Sequence, residues 1–492
     1  MKTVPRYITL WSGIIATLIL TAASVTAKTI TLDDALDIAR NHTARGEMVD
    51  GNLEVAEQNY NANRINFYLP EISIKGSAPS YAVDESYRFF GGADQKQLYK
   101  TRKVNYNSFI ELNQSLITGG DIIMTANLMS NDERYPNTRT GVTPGTNINE
   151  ETRQGYFTIS YSQPLLKPST SKHNLKNTRD DYEIARLARI EEEMMLKKEV
   201  IEAYMGLLQA SVKQEMYTDK YRSAMLKADI DSVKLDDGVI SEEDLLISRS
   251  DRLDAELNRF EMETEAIELK RKLAILLDFD VEGQFNPVEP EVVAHLEETE
   301  KQYCLSSWEN SVPIHKAELE YDKARRDAEY KSAGHGLTGE LNCNYSTGQG
   351  TVETDGIDED IDTRGWEISL DFTYPLWDGG SSGAEIKSAK LQAEQARLEF
   401  QREKQNTRAA IINLINQLDV SYRRLEIMRK QVELAQNRLE IARGRMEDGH
   451  ISEITFLESK TDYLDARVKY LEEMETYLLN RAELDGKYLR DQ

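Results

Sequence analysis

The sequence has few cysteine residues, and beyond its first 27 residues it has no long apolar run. Only Cys304 and Cys343 are present among 492 residues. Two cysteines do not make a disulfide framework, although an oxidising compartment would leave open whether they pair. A transmembrane helix needs about 20 consecutive apolar residues, and no stretch after residue 28 approaches that length. A disulfide-rich scaffold and a helical membrane span in the mature chain are therefore not expected.

Catalytic and nucleic-acid-binding patterns are also missing. The six histidines are scattered without metal-ligand spacing, and no phosphate-binding loop, G-x-S-x-G turn or C-x-x-C pair occurs. The formal net charge of −25 opposes contact with nucleic acid, because phosphate binding needs clustered Lys and Arg. We expect no enzyme activity, no catalytic residue, no metal, no cofactor and no nucleic-acid partner.

The first 27 residues have the pattern of a secretory signal peptide. Lys2 and Arg6 precede the short apolar run LWSGIIATLILTAA, and small residues end at Ala27, before Lys28. The run is too short to span a bilayer comfortably, so a retained anchor is the weaker interpretation. The mature chain is then an exported protein, either soluble in the periplasm or a β-barrel membrane protein.

An internal repeat organises most of the chain. KLDDGVISEEDLLISRSDRLDA begins at residue 234, and RMEDGHISEITFLESKTDYLDA begins 211 residues later, at 445. At the same offset SQPLLKPS, from residue 162, matches TYPLWDGG, from residue 373. We predict a first repeat over 28–280, a linker over 281–312 and a second repeat over 313–492.

Each repeat predicts a long antiparallel helical hairpin. Apolar residues recur every three or four positions in a narrow stripe over 172–237, and again over 384–443. About 65 helical residues would extend roughly 100 Å. Gly238 and Gly449 are placed to end the first helix of each pair, and Ser241 and Ser452 are placed as N-caps, with Asp244 completing a capping box at the first.

Strands are predicted at the other end of these helices, over 71–83, 155–165, 336–346 and 366–377. In the last of them Ile368, Leu370 and Phe372 alternate with polar residues. A length of about ten residues with aromatic ends is typical of a bilayer-spanning barrel, with a soluble sandwich as the alternative. The segment at 345–356 is interpreted as an extracellular loop and the acidic run at 355–362 as solvated loop.

The first repeat contains an insert at about 84–150. Its segment 104–131 has apolar residues on one face and a turn at Thr118-Gly119-Gly120-Asp121, which predicts an additional β-hairpin. The sequence leaves open whether this hairpin adds strands to the barrel or lies on its outer surface.

These features together resemble the TolC family of outer-membrane efflux channels. The resemblance covers nearly the whole mature chain and includes TLDDALDIARNH from residue 31 and YPLWDGG from residue 374. It implies an α+β membrane protein in which a trimeric transmembrane β-barrel continues into a long α-helical periplasmic barrel. It also implies three kinds of partner: further copies of the chain in a homotrimer, outer-membrane lipid, and a periplasmic adaptor linked to an inner-membrane transporter.

The resemblance assigns roles to residues at the hairpin tips and the strand-to-helix junctions. The family's pore constriction falls on Thr455 and Glu458, of which only Glu458 is acidic, and the acid of its tip latch falls on Asp244. Met446 and Ile451 replace the latch partners, which leaves the gating contacts open. The predicted adaptor-docking residues are Asp237, Gly238, Val239, Ile240, Ser241, Asp448, Gly449, His450, Ile451 and Ser452. The predicted junction residues are Pro164, Leu165, Pro375, Leu376, Gly379 and Gly380.

The predicted function is export through a channel that crosses the periplasm and the outer membrane, as the outer component of a tripartite efflux or type I secretion system. The alternative is a structural or adhesive coiled-coil protein of the envelope that lacks a conducting lumen. The substrate and the class of inner-membrane pump are not encoded in any recognisable motif.

Overall fold

The computed structural model describes residues 28–88, 97–137, 146–283, 285–290 and 294–488. The predicted signal peptide lies outside the described residues. Within them eight α-helices occur: α1 (Leu32–Asn41), α2 (Ala44–Tyr68), α3 (Thr170–Asp236), α4 (Glu242–Leu276), α5 (Glu298–Ser306), α6 (Val312–Gly334), α7 (Ser381–Glu447) and α8 (Glu453–Gly486). The two longest, α3 and α7, have 67 residues each, and the long helices predicted in both repeats are thereby confirmed.

The described part of the chain also contains eight strands: β1 (Lys28–Ile30), β2 (Glu71–Arg88), β3 (Gln97–Ser115), β4 (Asp121–Pro136), β5 (Asn147–Pro164), β6 (Phe285–Pro287), β7 (Thr338–Thr354) and β8 (Ile357–Thr373). Six of them form one antiparallel sheet in the order β2-β3-β4-β5-β7-β8. Strands β3 and β4 are the predicted insert hairpin. They lie inside the sheet, between β2 and β5, and so are not an external appendage.

The six strands of this sheet have 16 to 19 residues and are longer than the predicted segments. The loop interpretation of 345–356 and 355–362 is wrong, because β7 continues to Thr354 and β8 begins at Ile357. Only Asp355 and Gly356 connect them, with φ values of 52° and 83°. Two adjacent residues with positive φ are typical of a tight type I′ hairpin turn.

The chain divides into two compact units. The first contains the described residues of Met1–Ile38, Ala203–Val293 and Leu434–Leu471. Its N-terminal strand β1 pairs in parallel with β6. The buried Tyr204 hydroxyl lies 2.8 Å from the carbonyl oxygen of Ile30 and 2.6 Å from that of Val288, and it accepts a hydrogen bond from the Val288 N–H. Burial raises the pKa of Tyr204 to about 12, and the neutral phenol connects β1 to the residue that follows β6.

The second unit contains the described residues of Ala39–Glu202, Ala294–Glu433 and Glu472–Gln492, including the six-stranded sheet. Part of the predicted linker is held against the end of α8. The Arg481 guanidinium binds both carboxylate oxygens of Glu300, at 3.2 and 2.5 Å, and the Tyr488 hydroxyl donates to the Cys304 carbonyl at 2.6 Å. Cys304 and Cys343 are both free thiols.

Candidate functional site

Both hairpin tips have the predicted turn geometry. Gly238 and Gly449 have φ values of 69° and 73°, a region that favours glycine. After each glycine the next N–H bonds back into the preceding helix, Val239 to the Lys234 carbonyl and His450 to the Arg445 carbonyl, both at 2.8 Å. The duplicated Gly-x-Ile-Ser-Glu sequence therefore ends one helix and starts another twice.

The caps that follow the two glycines differ in chemistry. At the first tip Ser241 and Asp244 form the predicted capping box, in which the Asp244 carboxylate accepts from the Ser241 hydroxyl at 2.7 Å and from its N–H at 3.0 Å. The hydrogen bond from the Ser241 hydroxyl lowers the pKa of Asp244 most, and the hydrogen bond from the Ser241 N–H lowers it further. At the second tip the Ser452 hydroxyl oxygen accepts from the Thr455 N–H at 3.2 Å. Asp244 and Thr455 thus both act within their own turns.

Most of the tip residues proposed for docking are exposed. Val239 is 70% exposed, and Asp237, Asp448 and His450 are exposed as well. Glu458 is also exposed, and the described part of the chain offers it no hydrogen bond or ion pair. One chain does not bring Glu458 and Asp244 into contact, so the constriction ring and the tip latch stay predictions.

A set of ion pairs that the sequence did not predict joins α3 to α8 in the first unit. Lys460 lies 2.8 Å from both Glu215 and Asp219, and Arg222 lies 2.5 Å from Glu453. Burial lowers the pKa of Lys460, but hydrogen bonds to Asp219 and Glu215 outweigh it, so the pKa is raised. Charged residues are abundant on both helices, and their spacing in the sequence does not distinguish the residues that form these ion pairs from those that are only solvated.

A second unpredicted contact closes the first hairpin near its tip. The Ser248 hydroxyl donates to Asp231, and Lys234 lies 2.9 Å from the same carboxylate. Both Ser248 and Asp231 are buried. The hydrogen bond from Ser248 lowers the pKa of Asp231 most, and the hydrogen bond from Lys234 lowers it further. The internal repeat conserves only half of this pair. Ser459 corresponds to Ser248 in the second hairpin, but Ala442 occupies the position that corresponds to Asp231.

Two neighbouring rows of the sheet, which lie on opposite faces, have opposite character. One row of aligned residues crosses all six strands and is entirely apolar: Ile72, Leu112, Met124, Ile159, Tyr345 and Trp366. The next row, on the other face, has no apolar side chain: Ser73, Glu111, Thr125, Thr158, Ser346 and Gly365. On the apolar face Ile72 is 65% exposed and Trp366 is 77% exposed. An exposed apolar face of this extent marks an interaction surface.

The strand-to-helix junctions are built differently in the two repeats. Pro164 ends β5, and the Leu165 N–H donates to the Gly339 carbonyl at 2.8 Å. In the second repeat Gly379 and Gly380 have φ values of 71° and 88°. Asp378, which the sequence interpretation passed over, accepts from the N–H groups of Gly380 and Ser382 at 2.9 and 2.8 Å. Pro375 and Leu376 lie between β8 and this cap, with Leu376 92% exposed.

Within the described residues, no three His, Cys, Asp or Glu side chains are grouped so that they could hold a metal ion. None of the described helices is long and apolar enough to cross a membrane.

Part of the chain matches a known protein family. Residues 306–486 match the family model described as outer membrane efflux protein. The resemblance to the TolC family of outer-membrane efflux proteins is thereby confirmed. The family description places the protein in the outer membrane, as the sequence predicted. No curated protein sequence is similar enough to count as a match.

Solved outer-membrane proteins share the fold over almost the entire chain. The outer membrane protein VceC of Vibrio cholerae has a TM-score of 0.57 at 12% identity, with coverage of 93% of this chain and 97% of VceC. The CmeC outer membrane channel of Campylobacter jejuni has a TM-score of 0.55 at 14% identity, covering 94% and 87%. The MtrE outer membrane channel of Neisseria gonorrhoeae has a TM-score of 0.55 at 15% identity, covering 92% and 88%. The α+β fold class is thus that of outer-membrane channels.

Proposed function

We propose that three copies of this chain form an export channel through the outer membrane, with their sheets joined edge to edge around one lumen. The alternation of apolar and polar rows supports this proposal most directly. A strand whose side chains alternate between lipid and water shows this two-sided pattern. The apolar row from Ile72 to Trp366 would face lipid, and the polar row from Ser73 to Gly365 would face water.

The two edge strands support closure between copies. Within the described sheet β2 has only β3 as a neighbour, and β8 has only β7. Backbone groups along a free edge cannot remain unpaired in lipid, so each edge needs a partner strand. Three six-stranded sheets would give eighteen strands, and barrels of about 16 to 18 strands enclose an aqueous channel.

The helical hairpin tips would dock on a periplasmic adaptor linked to an inner-membrane transporter, which makes the channel the outer component of a tripartite system. A photo-reactive amino acid at Val239, which is 70% exposed, tests this contact in cells. Leu253, 58% exposed on α4, provides the matched control. We expect an adduct containing an adaptor from Val239 only, and equal labelling from both positions would contradict docking at the tip.

Conductance separates this proposal from a structural coiled-coil protein without a lumen. The purified trimer would be reconstituted into planar bilayers, and ionic current measured across them. We expect stepwise conductance, because polar side chains line the proposed interior. Correctly folded trimers that pass no current would refute the channel and favour the structural alternative.

A further inference from the structure

A cavity of about 540 Å³ lies beside the junction between β5 and α3, entirely within the second unit. Its walls come from the turn after β3, the segment that links β5 to α3, the first turns of α3 and the last turns of α6. The side chains that matter most are Lys167, Lys172, His173, Lys176, Arg326 and Tyr330. Four of the lining residues are Lys or Arg, whereas Glu329 is the only carboxylate among them.

The wall of the cavity is ordered by its own contacts. The His173 ring stacks on Tyr330 with centroids 4.2 Å apart, and its Nε2 atom lies 2.9 Å from the Asp327 carboxylate. Arg326 is held by the carboxylate of Asp180 and, at 3.2 Å, by the Asn177 amide oxygen. His173 and the Nη2 atom of Arg326 are therefore already partnered, and the exposed cations of the cavity are its lysines.

The three lysines at the rim are unpartnered. Lys167, Lys172 and Lys176 are exposed, and none of their ammonium groups has a hydrogen bond or ion pair with any described residue. Lys172 and Lys176 stand four residues apart on one helix, an arrangement in which like charges repel. In a chain with a net charge of −25, a cluster of free cations around a cavity indicates an anionic ligand that is not part of the protein.

The neighbouring apolar residues indicate where this ligand comes from. Leu165 and Leu166, directly before Lys167, are 53% and 50% exposed, and Ile117 in the adjacent turn is 72% exposed. Leu166 directly precedes Lys167 and Ile117 directly precedes Thr118, and both Lys167 and Thr118 line the cavity. Exposed apolar residues directly followed by lysines are typical of a membrane interface. There the aliphatic part of each lysine side chain lies against lipid acyl chains, and its ammonium group reaches a phosphate.

We propose that this cavity binds the phosphate of an anionic phospholipid headgroup from the inner leaflet of the outer membrane. The assignment rests on the proposed function, because it takes the sheet to be in the membrane. Lys167, Lys172 and Lys176 neutralise the phosphate, while Leu165, Leu166 and Ile117 contact the first carbons of the acyl chains.

Native mass spectrometry of the full-length trimer in detergent tests the assignment. The trimer would be titrated with phosphatidylglycerol and, separately, with zwitterionic phosphatidylcholine, and bound lipids would be counted. The variant K167Q/K172Q/K176Q would be compared with K220Q/K272Q/K430Q, which removes the same charge from exposed lysines outside the cavity. We expect the first variant alone to bind phosphatidylglycerol at least about tenfold more weakly, since each basic residue near an anionic surface contributes measurably.

Three results would overturn the assignment: equal binding of the two lipids by the unmodified protein, equal loss in both variants, or undiminished binding in the cavity variant. Displacement of phosphatidylglycerol by inorganic phosphate at the same concentration would show instead that the cavity selects a free anion. Conductance of the same preparations in phosphatidylcholine bilayers keeps the two proposals separable. A conducting trimer without headgroup selectivity refutes only the lipid site, and a folded trimer without conductance refutes the channel.

Discussion

The ammonium group of Lys460 lies 2.8 Å from a carboxylate oxygen of Asp219. Lys460 belongs to α8 of the second repeat and Asp219 to α3 of the first, so this contact connects the two hairpins within one chain. The side chain of Asp219 is only 12% exposed and that of Lys460 28%. An ion pair shielded to this degree is screened less by salt than an exposed pair.

Replacing Lys460 with methionine should destabilise the protein. The change leaves the carboxylates of Asp219 and Glu215 close together without their shared cation. We expect a loss of about 1–3 kcal/mol in the free energy of unfolding, between the values for exposed and fully buried pairs. Chemical denaturation of the purified protein measures it. K469M on the same helix removes an exposed partner of Asp465 and should change stability by less than half as much.

Removing the Ser248 hydroxyl should weaken the first hairpin near its tip. In Ser248→Ala the buried Asp231 carboxylate loses a hydrogen bond, which costs about 1.5–3 kcal/mol when the acceptor is charged. Ser459 is the matched control from the repeat, since among the described residues its hydroxyl bonds only to the Thr455 carbonyl of its own helix, at 3.1 Å. Hydrogen exchange over 225–255 should rise in S248A, while S459A leaves it unchanged. Equal exchange in both variants would contradict a stabilising contact between Ser248 and Asp231.

Much of the helical architecture could be predicted from the sequence because its determinants are local. A glycine at positive φ and a serine N-cap act within a few residues, so the positions of Gly238, Ser241 and Gly449 can be predicted without any tertiary contact. The Asp244 capping box followed from the same spacing. The repeat reinforced each assignment, because the second copy showed the same residues at the same offset.

The sheet was less predictable, because strand ends depend on pairing with neighbours. The glycines and acidic residues of 345–362 have weak strand propensity, yet β7 and β8 pair without interruption across this segment. Contacts between distant helices gave no sequence signal either. Lys460 and Asp219 are 241 residues apart, and each is one charged residue among many on its helix.

Acid should loosen the junction before α7 through Asp378. Hydrogen bonds from the side chain and the N–H of Ser382, and then from the Gly380 N–H, lower the pKa of Asp378 to about 2, below the usual 3.8. A lowered folded-state pKa means that this stabilisation is complete above about pH 4 and is lost as the pH falls toward about 2. In Asp378→Asn this part of the pH dependence should disappear.

The melting temperature measured from about pH 6 down to about pH 2 checks this expectation. E426Q provides the control, because Glu426 is an exposed carboxylate of α7 without a hydrogen bond or ion pair among the described residues. The melting temperatures of D378N and of the unmodified protein should differ near neutral pH and converge at low pH. Parallel profiles across the range would show that Asp378 does not stabilise this junction.

Glu458 should set the ion preference of the proposed channel. Three copies would bring three Glu458 carboxylates together near the tip of the second hairpin, and a ring of acidic side chains favours cations over anions. Glu458→Gln should therefore shift the reversal potential in a salt gradient toward the anion value without disturbing trimerisation. Glu433→Gln, an exposed carboxylate on α7 farther from the tip, should leave that potential near its original value. An unchanged reversal potential in conducting E458Q trimers would show that Glu458 only solvates its helix, and equal shifts in both variants would indicate a general charge effect along the lumen.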